Sequence, residues 1–294
     1  MVKKFLEYLE YEKKYSPHTI LAYRKDIMDF ICFCKEEFNQ CYEDVSYSQI
    51  RSWIVQLTSG KLTNRSINRK LSSLKTFFNY LVKIGEVTKS PMMKHRSLKE
   101  QKKISIPFNE KEINEVIDII KTKVGFEGVR DRLILELLYS TGIRRAELIN
   151  IKTKDLYFEE GVLKIIGKGN KERFVVLLPF VIETIKVYQL ERKMLKEIKD
   201  KDYLLLTKKG VKMYETLVYR IINSYFRRVS TKVKKSPHVL RHAFATNLIN
   251  RGASLFSVKE LLGHSSLAST QVYTNSSLEE LKQVYNKTHP REFD

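Results

Sequence analysis

The chain has 294 residues, 43% of them hydrophobic, and carries 54 Lys and Arg against 34 Asp and Glu, a formal net charge of +20. That length serves one large or two ordinary domains with a proper core, and no stretch approaches the roughly 18 consecutive apolar residues that a membrane span needs. The basic excess holds in both parts, 18 basic residues against 11 acidic in 1–100 and 36 against 23 in 101–294, so it is no basic tail on a neutral body and calls for a polyanionic partner.

The start, Met1-Val2-Lys3-Lys4-Phe5-Leu6-Glu7, carries an early acid and no apolar signal core, so a cytoplasmic location is expected. Phe5, Leu6, Tyr8 and Leu9 recur at helical spacing and predict a helix over Val2–Lys14. Ser16 before Pro17 restarts the chain as a helix, serine as N-cap and proline at its first position, with Ile20, Tyr23, Ile27, Phe30 and Ile31 on one face. Cys32, Cys34 and Cys41 fall close together without the paired Cys or His partners of a zinc site, and read as reduced thiols. A third helix is expected over Tyr47–Leu57, closed by Gly60. A fourth runs from Thr63, with Ile67, Leu71, Leu74, Phe78 and Leu81 as its apolar stripe and Arg65, Arg69 and Lys75 elsewhere around it.

From Ile84 to about Asn109 periodicity fails, and Lys89, Lys94, His95, Arg96, Lys99, Lys102 and Lys103 crowd between Pro91 and Pro107. This stretch reads as a linker, either a solvated connector or a strap along phosphates. The expected organisation is therefore a helical domain at 1–88, a basic linker at 89–108 and a second domain at 109–294. In the second domain Glu110–Lys123 and Val129–Ser140 read as helices, the latter ending where Gly142 can take a left-handed cap. Val162–Ile166 and Arg173–Leu178 read as strands joined across the glycine-rich turn Gly167-Lys168-Gly169-Asn170-Lys171. A helix at Phe180–Glu197, a short strand at Tyr203–Leu206 and further helices follow.

This second domain has no Walker A sequence, no dinucleotide-binding glycine fingerprint and no His-Glu-x-x-His motif. Any phosphate chemistry is thus expected to run without nucleotide, cofactor or metal. Ser236-Pro237-His238-Val239-Leu240-Arg241 reads as an N-cap, a first-turn proline, and a His and Arg three apart on one helix face. Such a face opens at a helix N-terminus, where free amides and the dipole favour phosphate.

Taken in order, Thr141-Gly142-Ile143-Arg144-Arg145-Ala146-Glu147-Leu148, Gly167-Lys168-Gly169-Asn170-Lys171-Glu172-Arg173, His238-Val239-Leu240-Arg241-His242, Leu262-Gly263-His264-Ser265 and Tyr273 resemble the active-site boxes of tyrosine recombinases. Tyr15-Ser16-Pro17-His18-Thr19 and Ile67-Asn68-Arg69-Lys70-Leu71-Ser72-Ser73-Leu74-Lys75 resemble the core-binding domain of the Xer branch, so the likeness spans essentially the whole chain. It implies a mainly α fold with a small β-sheet: an N-terminal helical, SAM-like core-binding domain and a C-terminal mixed α/β catalytic domain.

The resemblance implies that Arg144 and Arg241 hold the nonbridging oxygens of a scissile phosphate, a task suited to the planar, permanently charged guanidinium. By the same match Lys168 protonates the departing 5′ oxygen, with Lys171 as the other lysine of that turn. His238 acts as acid or base, His264 hydrogen-bonds the phosphate, and Tyr273 attacks phosphorus to leave a 3′-phosphotyrosyl link. Arg65, Arg69, Lys75, Arg145 and Lys171 are candidates for further DNA contact. Tyr285 falls on a stripe with Leu278, Leu281 and Val284, in a terminal helix that would dock in a neighbouring protomer, and Asn275 stands where many relatives have histidine.

The implied partners are double-stranded DNA, a homo- or hetero-tetramer on that DNA with a XerD-like recombinase, and an FtsK-type translocase. The implied role is resolution of chromosome dimers at a dif-like site. An integrase or invertase of a mobile element has the same build, a type IB topoisomerase shares the transesterification, and a catalytically silent DNA-binding protein would share the charge.

Overall fold

The computed structural model describes residues 1–100, 106–167 and 170–262, in two compact units, one spanning Met1–Lys103 and the other beginning at Ile104. Among the described residues no helix is long and apolar enough to cross a membrane.

The first unit is helical. The helix expected over Val2–Lys14 is α1 (Val2–Glu7), which widens into a π turn at Tyr8–Glu12 while Phe5 and Leu9 both stay fully buried. α2 (Pro17–Phe38) begins where Ser16 Oγ accepts from the Thr19 amide and ends at Asn39, whose φ of 48° forms the left-handed cap. α3 (Tyr47–Ser59) starts with a capping box of Ser46 and Gln49, and α4 (Asn64–Lys83) starts with the Thr63 side chain on the Ser66 amide. Their apolar faces meet around Phe30, Trp53, Ile67, Leu74, Phe77 and Phe78.

One polar contact crosses this core. Asp26 of α2, 1% exposed, accepts from Arg69 Nη2 and Ser73 Oγ at 2.8 Å each and from Lys70 Nζ at 3.3 Å, all on α4. Lys70 also reaches Asp29 at 2.7 Å. A carboxylate removed from water needs such partners, and these fix the rotation of α4 against α2.

Residues beyond Ile84 lack periodicity, yet those up to 100 lie along the same unit. Met92 is fully buried, Asn68 brackets Leu98 through both its backbone groups at 2.9 Å, and Asn64 donates to the Lys99 carbonyl at 2.8 Å. Side-chain amides here stand in for a strand partner, which hydrophobic spacing does not report.

In the second unit α5 (Glu110–Lys121) is capped by Asn109, and α6 (Gly125–Thr141) is buried along most of its length, packed by α5 and by four later helices. The first turn of α6 is largely exposed, holds Gly125 and Gly128, and follows Val124, which makes no side-chain cap, so no local signal marked the start and the expected one at Val129 falls four residues late. α7 (Arg145–Leu148) is a single turn. β1 (Leu156–Tyr157), β2 (Val162–Ile166) and β3 (Glu172–Val176) form an antiparallel sheet in that order, with Ile166 opposite Glu172 at the mouth of the β2–β3 turn.

α8 (Pro179–Lys193), α9 (Glu215–Val229), α10 (Pro237–Asn250) and α11 (Leu255–Leu262) complete the described unit. The strand expected at Tyr203–Leu206 is not one. Tyr203 and Leu206 make isolated bridges to Lys152 and Lys212, and Leu204, Leu205 and Leu206 are buried in succession rather than alternately. The Leu206 amide donates to the Tyr188 hydroxyl instead of a ladder partner.

Candidate active site

The site begins at the C-terminus of α6. Gly142 has φ 61°, and a Cβ built there would lie 2.4 Å from Cδ1 of Phe244 and 2.9 Å from Cδ2 of Leu262. Only glycine meets both the left-handed backbone and the close approach of α10 and α11. Buried Ile143 then anchors the chain, and Arg144 stands extended at the N-cap of α7.

Arg144 is held twice by one carboxylate. Glu147 Oε2 accepts from the Arg144 amide at 2.7 Å and Oε1 from Arg144 Nη1 at 2.8 Å. The same carboxylate receives a fork from β3, Arg173 Nη1 on Oε1 at 2.9 Å and Nη2 on Oε2 at 2.8 Å. Glu147 and Arg173 are both buried. Burial alone pushes the Glu147 carboxyl up, but the hydrogen bonds and charge of Arg173 with those of Arg144 outweigh it and hold its pKa below the ordinary carboxylate value. Neither residue was given a role by sequence reasoning. The only trace was their presence in the first two boxes, because a pair 26 positions apart is a tertiary fact.

Arg241 comes to this place from α10. It is 6% exposed, donates Nη1 to the Gly142 carbonyl and donates Nη2 to the Leu262 carbonyl at 2.6 Å. One guanidinium thus ties together the ends of α6, α10 and α11. Burial, and after it the nearby charge of Arg144, lower its pKa to about 10, which still leaves it protonated at neutral pH. The two arginines therefore sit within electrostatic reach of each other, as their expected joint work on one phosphate requires.

His238 is exposed one turn before Arg241, at the first turn of α10. Ser236 occupies the expected N-cap, but its side chain makes no capping bond. The β2–β3 turn closes with the Gly167 amide on the Lys171 carbonyl at 2.7 Å, and Lys171 is exposed. Lys168, His264 and Tyr273, given roles by resemblance, lie outside the described residues.

The candidate DNA-contacting residues divide. Arg65 and Lys75 are exposed on α4, whereas Arg69 is half-exposed with its fork on Asp26. Arg145 is turned to Glu215 at the start of α9 in an ion pair. A surface that sequence reasoning passed over lies on α9, where Tyr219, Asn223 and Arg227 form one row and Arg220, Ser224 and Arg228 another, around a shallow concavity. Val218, Ile221, Ile222, Tyr225 and Phe226 are buried on the opposite side. Two polar rows at a spacing of four were the available signal.

Residues 91–280 match the family described as "Phage integrase family", and residues 2–85 match "Phage integrase, N-terminal SAM-like domain". The chain belongs to the phage integrase family. Along its full length this family member is similar to the tyrosine recombinase XerC of Oceanobacillus iheyensis, 36% identical over 295 residues that cover 99% of this chain and 96% of the relative. It is likewise similar to the XerC of Staphylococcus epidermidis, 36% identical over 287 residues, with 98% and 96% covered. Among solved structures, the XerH site-specific recombinase bound to palindromic difH substrate in a post-cleavage complex superposes with a TM-score of 0.73 at 23% identity, over 97% of this chain and 83% of that one. That likeness establishes the fold, helical N-terminal domain and catalytic domain alike. As a member of this family the chain is a tyrosine recombinase, an enzyme that cleaves and rejoins DNA strands.

Proposed function

We propose that this recombinase acts as a Xer-type enzyme on double-stranded DNA, exchanging strands at a dif-like site to resolve chromosome dimers. It would do so as a tetramer with a XerD-like partner, under an FtsK-type translocase. The reading is supported by two XerC relatives matched over nearly the whole of both chains. The observation that carries the chemistry is the meeting of Arg144 and Arg241 beside the Glu147–Arg173 pair.

In this reading Arg144 and Arg241 bind the nonbridging oxygens of the scissile phosphate. As Tyr273 attacks, negative charge grows on those oxygens, and donors fixed beforehand stabilise the transition state more than the ground state. Lys168 gives a proton to the departing 5′ oxygen, His238 moves a proton near the phosphate, and His264 hydrogen-bonds it. The phosphotyrosyl link conserves the energy of the phosphodiester, so a 5′ hydroxyl from another strand reverses the step. The exposed rows of α9 supply Arg, Asn, Ser and Tyr of the kinds that read base edges and phosphates in a major groove. Arg65 and Lys75 offer charge to the backbone from the first unit.

The test is a nicked suicide duplex carrying a dif-like site. Wild type should form a covalent protein–DNA adduct, and Tyr273→Phe should form none. An adduct that survives in Tyr273→Phe, or no adduct with wild type and its partner recombinase together, would overturn the reading.

A further inference from the structure

We infer that Arg173 is a positioning residue for the reaction: through the buried carboxylate of Glu147 it fixes the direction in which Arg144 presents its guanidinium to the scissile phosphate. The inference rests on the reading of Arg144 as a phosphate ligand.

An ionised carboxylate offers about four lone-pair positions, and at Glu147 all four are taken, two by Arg173 and two by Arg144. Arg144 itself is 41% exposed, and a long side chain at a half-exposed helix N-cap has rotamer freedom that a single ion pair restrains weakly. What makes the restraint firm is that the carboxylate cannot turn, because a rigid fork from β3 grips both of its oxygens.

Stability gives little reason for a charged pair at this place, since both members could be apolar, although Arg173 removed alone would leave the buried Glu147 carboxylate with Arg144 as its remaining charged partner. Ile165 lies opposite Arg173 in the β2–β3 ladder, and Val175 is the next inward residue on the same strand. Aliphatic neighbours would accept an aliphatic side chain, and buried ion pairs are often replaceable by apolar residues without loss of stability. A second contact points to the same function. A Cβ at Gly167 would lie 3.4 Å from Arg173 Nη1 and 3.5 Å from Glu147 Oε1, so the backbone at the mouth of the β2–β3 turn is laid directly on the pair. One buried anchor therefore sets Arg144 and the base of that turn together.

The experiment compares Arg173→Met and Arg173→Lys with wild type and Arg144→Ala on two nicked duplexes. One carries the normal scissile phosphodiester. The other carries a methylphosphonate there, in which a methyl group replaces one nonbridging oxygen and leaves less anionic charge for Arg144 to meet. Arg173→Lys keeps the buried charge without the fork, so it serves where the methionine variant is too unstable to purify.

Both variants should bind duplex within about threefold of wild type yet form adduct about 10- to 100-fold more slowly on the phosphodiester, the scale of loss for a misplaced catalytic group. Normalised to wild type, that deficit should shrink at least about fivefold on the methylphosphonate, as should that of Arg144→Ala, because the neutral phosphorus centre asks less of a fixed cation. Equal deficits on both duplexes, or no deficit, would overturn the inference and leave the parent reading standing. A wild type that forms no adduct with its partner present would sink both.

Discussion

Gly142→Ala tests the junction on which Arg144 and Arg241, the two arginines proposed to bind phosphate, depend. The residue has φ 61°, and an alanine held there carries about 1–2 kcal/mol of left-handed strain. Its Cβ would stand 2.4 Å from the Phe244 ring, about 1 Å inside ordinary contact. Phe244 is 1% exposed in the main core, so relief requires α10 to shift, an overpacking penalty of about 1–3 kcal/mol. The sum is a loss of roughly 2–5 kcal/mol, which lowers Tm by roughly 5–20 °C in a unit of this size. In a Phe244→Leu background the ring is gone, while the strain and the 2.9 Å approach to the end of the Leu262 side chain remain, so the same substitution should cost less, about 1–3 kcal/mol. Urea unfolding followed by circular dichroism on the four proteins of the cycle measures both penalties. Because the Gly142 carbonyl accepts from Arg241, the folded Gly142→Ala protein should also form adduct about tenfold or more slowly. A penalty below about 1 kcal/mol, or one unchanged by Phe244→Leu, would refute the steric reasoning.

Two further outcomes are expected. Asp26→Ala removes the buried acceptor of Arg69, Lys70 and Ser73, and should cost about 3 kcal/mol, the low end for a broken buried pair because Lys70 keeps Asp29; the fluorescence of Trp53, the single tryptophan, follows that unit, and a loss under about 1 kcal/mol would show the cluster to be incidental. The Glu147 carboxyl has a folded pKa held below its unfolded value, so it stabilises the fold fully above the unfolded carboxylate range of about 4.3 and loses that contribution as pH falls through the folded pKa. The stability gap between wild type and Glu147→Gln should accordingly be flat above about pH 5 and narrow in acid, and a gap that widens on acidification would contradict the electrostatic account.

The elements most legible in the sequence were those with local causes. Ser16-Pro17, Thr63 and Gly142 each marked a helix end through chemistry confined to a few residues, and the apolar stripes of α2 and α4 gave the first unit's core. Elements whose cause is distant were less legible. The triple-leucine run at 204–206 looked like a strand because burial, rather than pairing, selected its side chains. Arg69, chosen for its charge as a candidate for DNA contact, spends its fork on Asp26, 43 positions away. For the site, the boxes named Arg144 and Arg241, and Arg241 donates to the Gly142 carbonyl two residues before Arg144, but they were silent on Glu147 and Arg173, whose partnership exists only after the sheet meets α7.

The arrangement is electrostatically uneven before any substrate arrives. Arg144, Arg173 and Arg241 surround one carboxylate, Glu147, so among the described residues the cluster holds about two positive charges in excess at neutral pH. Burial, and after it the neighbouring Arg144, already lower the pKa of Arg241 to about 10, while Glu147 acts in the opposite direction. A phosphodiester brings one negative charge. Once a phenolate oxygen joins phosphorus, the nonbridging oxygens and their surroundings carry about two, the number the cluster holds in excess. In the proposed reading the positive excess would be partly neutralised on binding and more fully as the pentavalent species forms. Under the proposed roles of Arg144 and Arg241, a site built to this balance would bind the transition state better than the intact strand, the condition for catalysis rather than mere DNA binding.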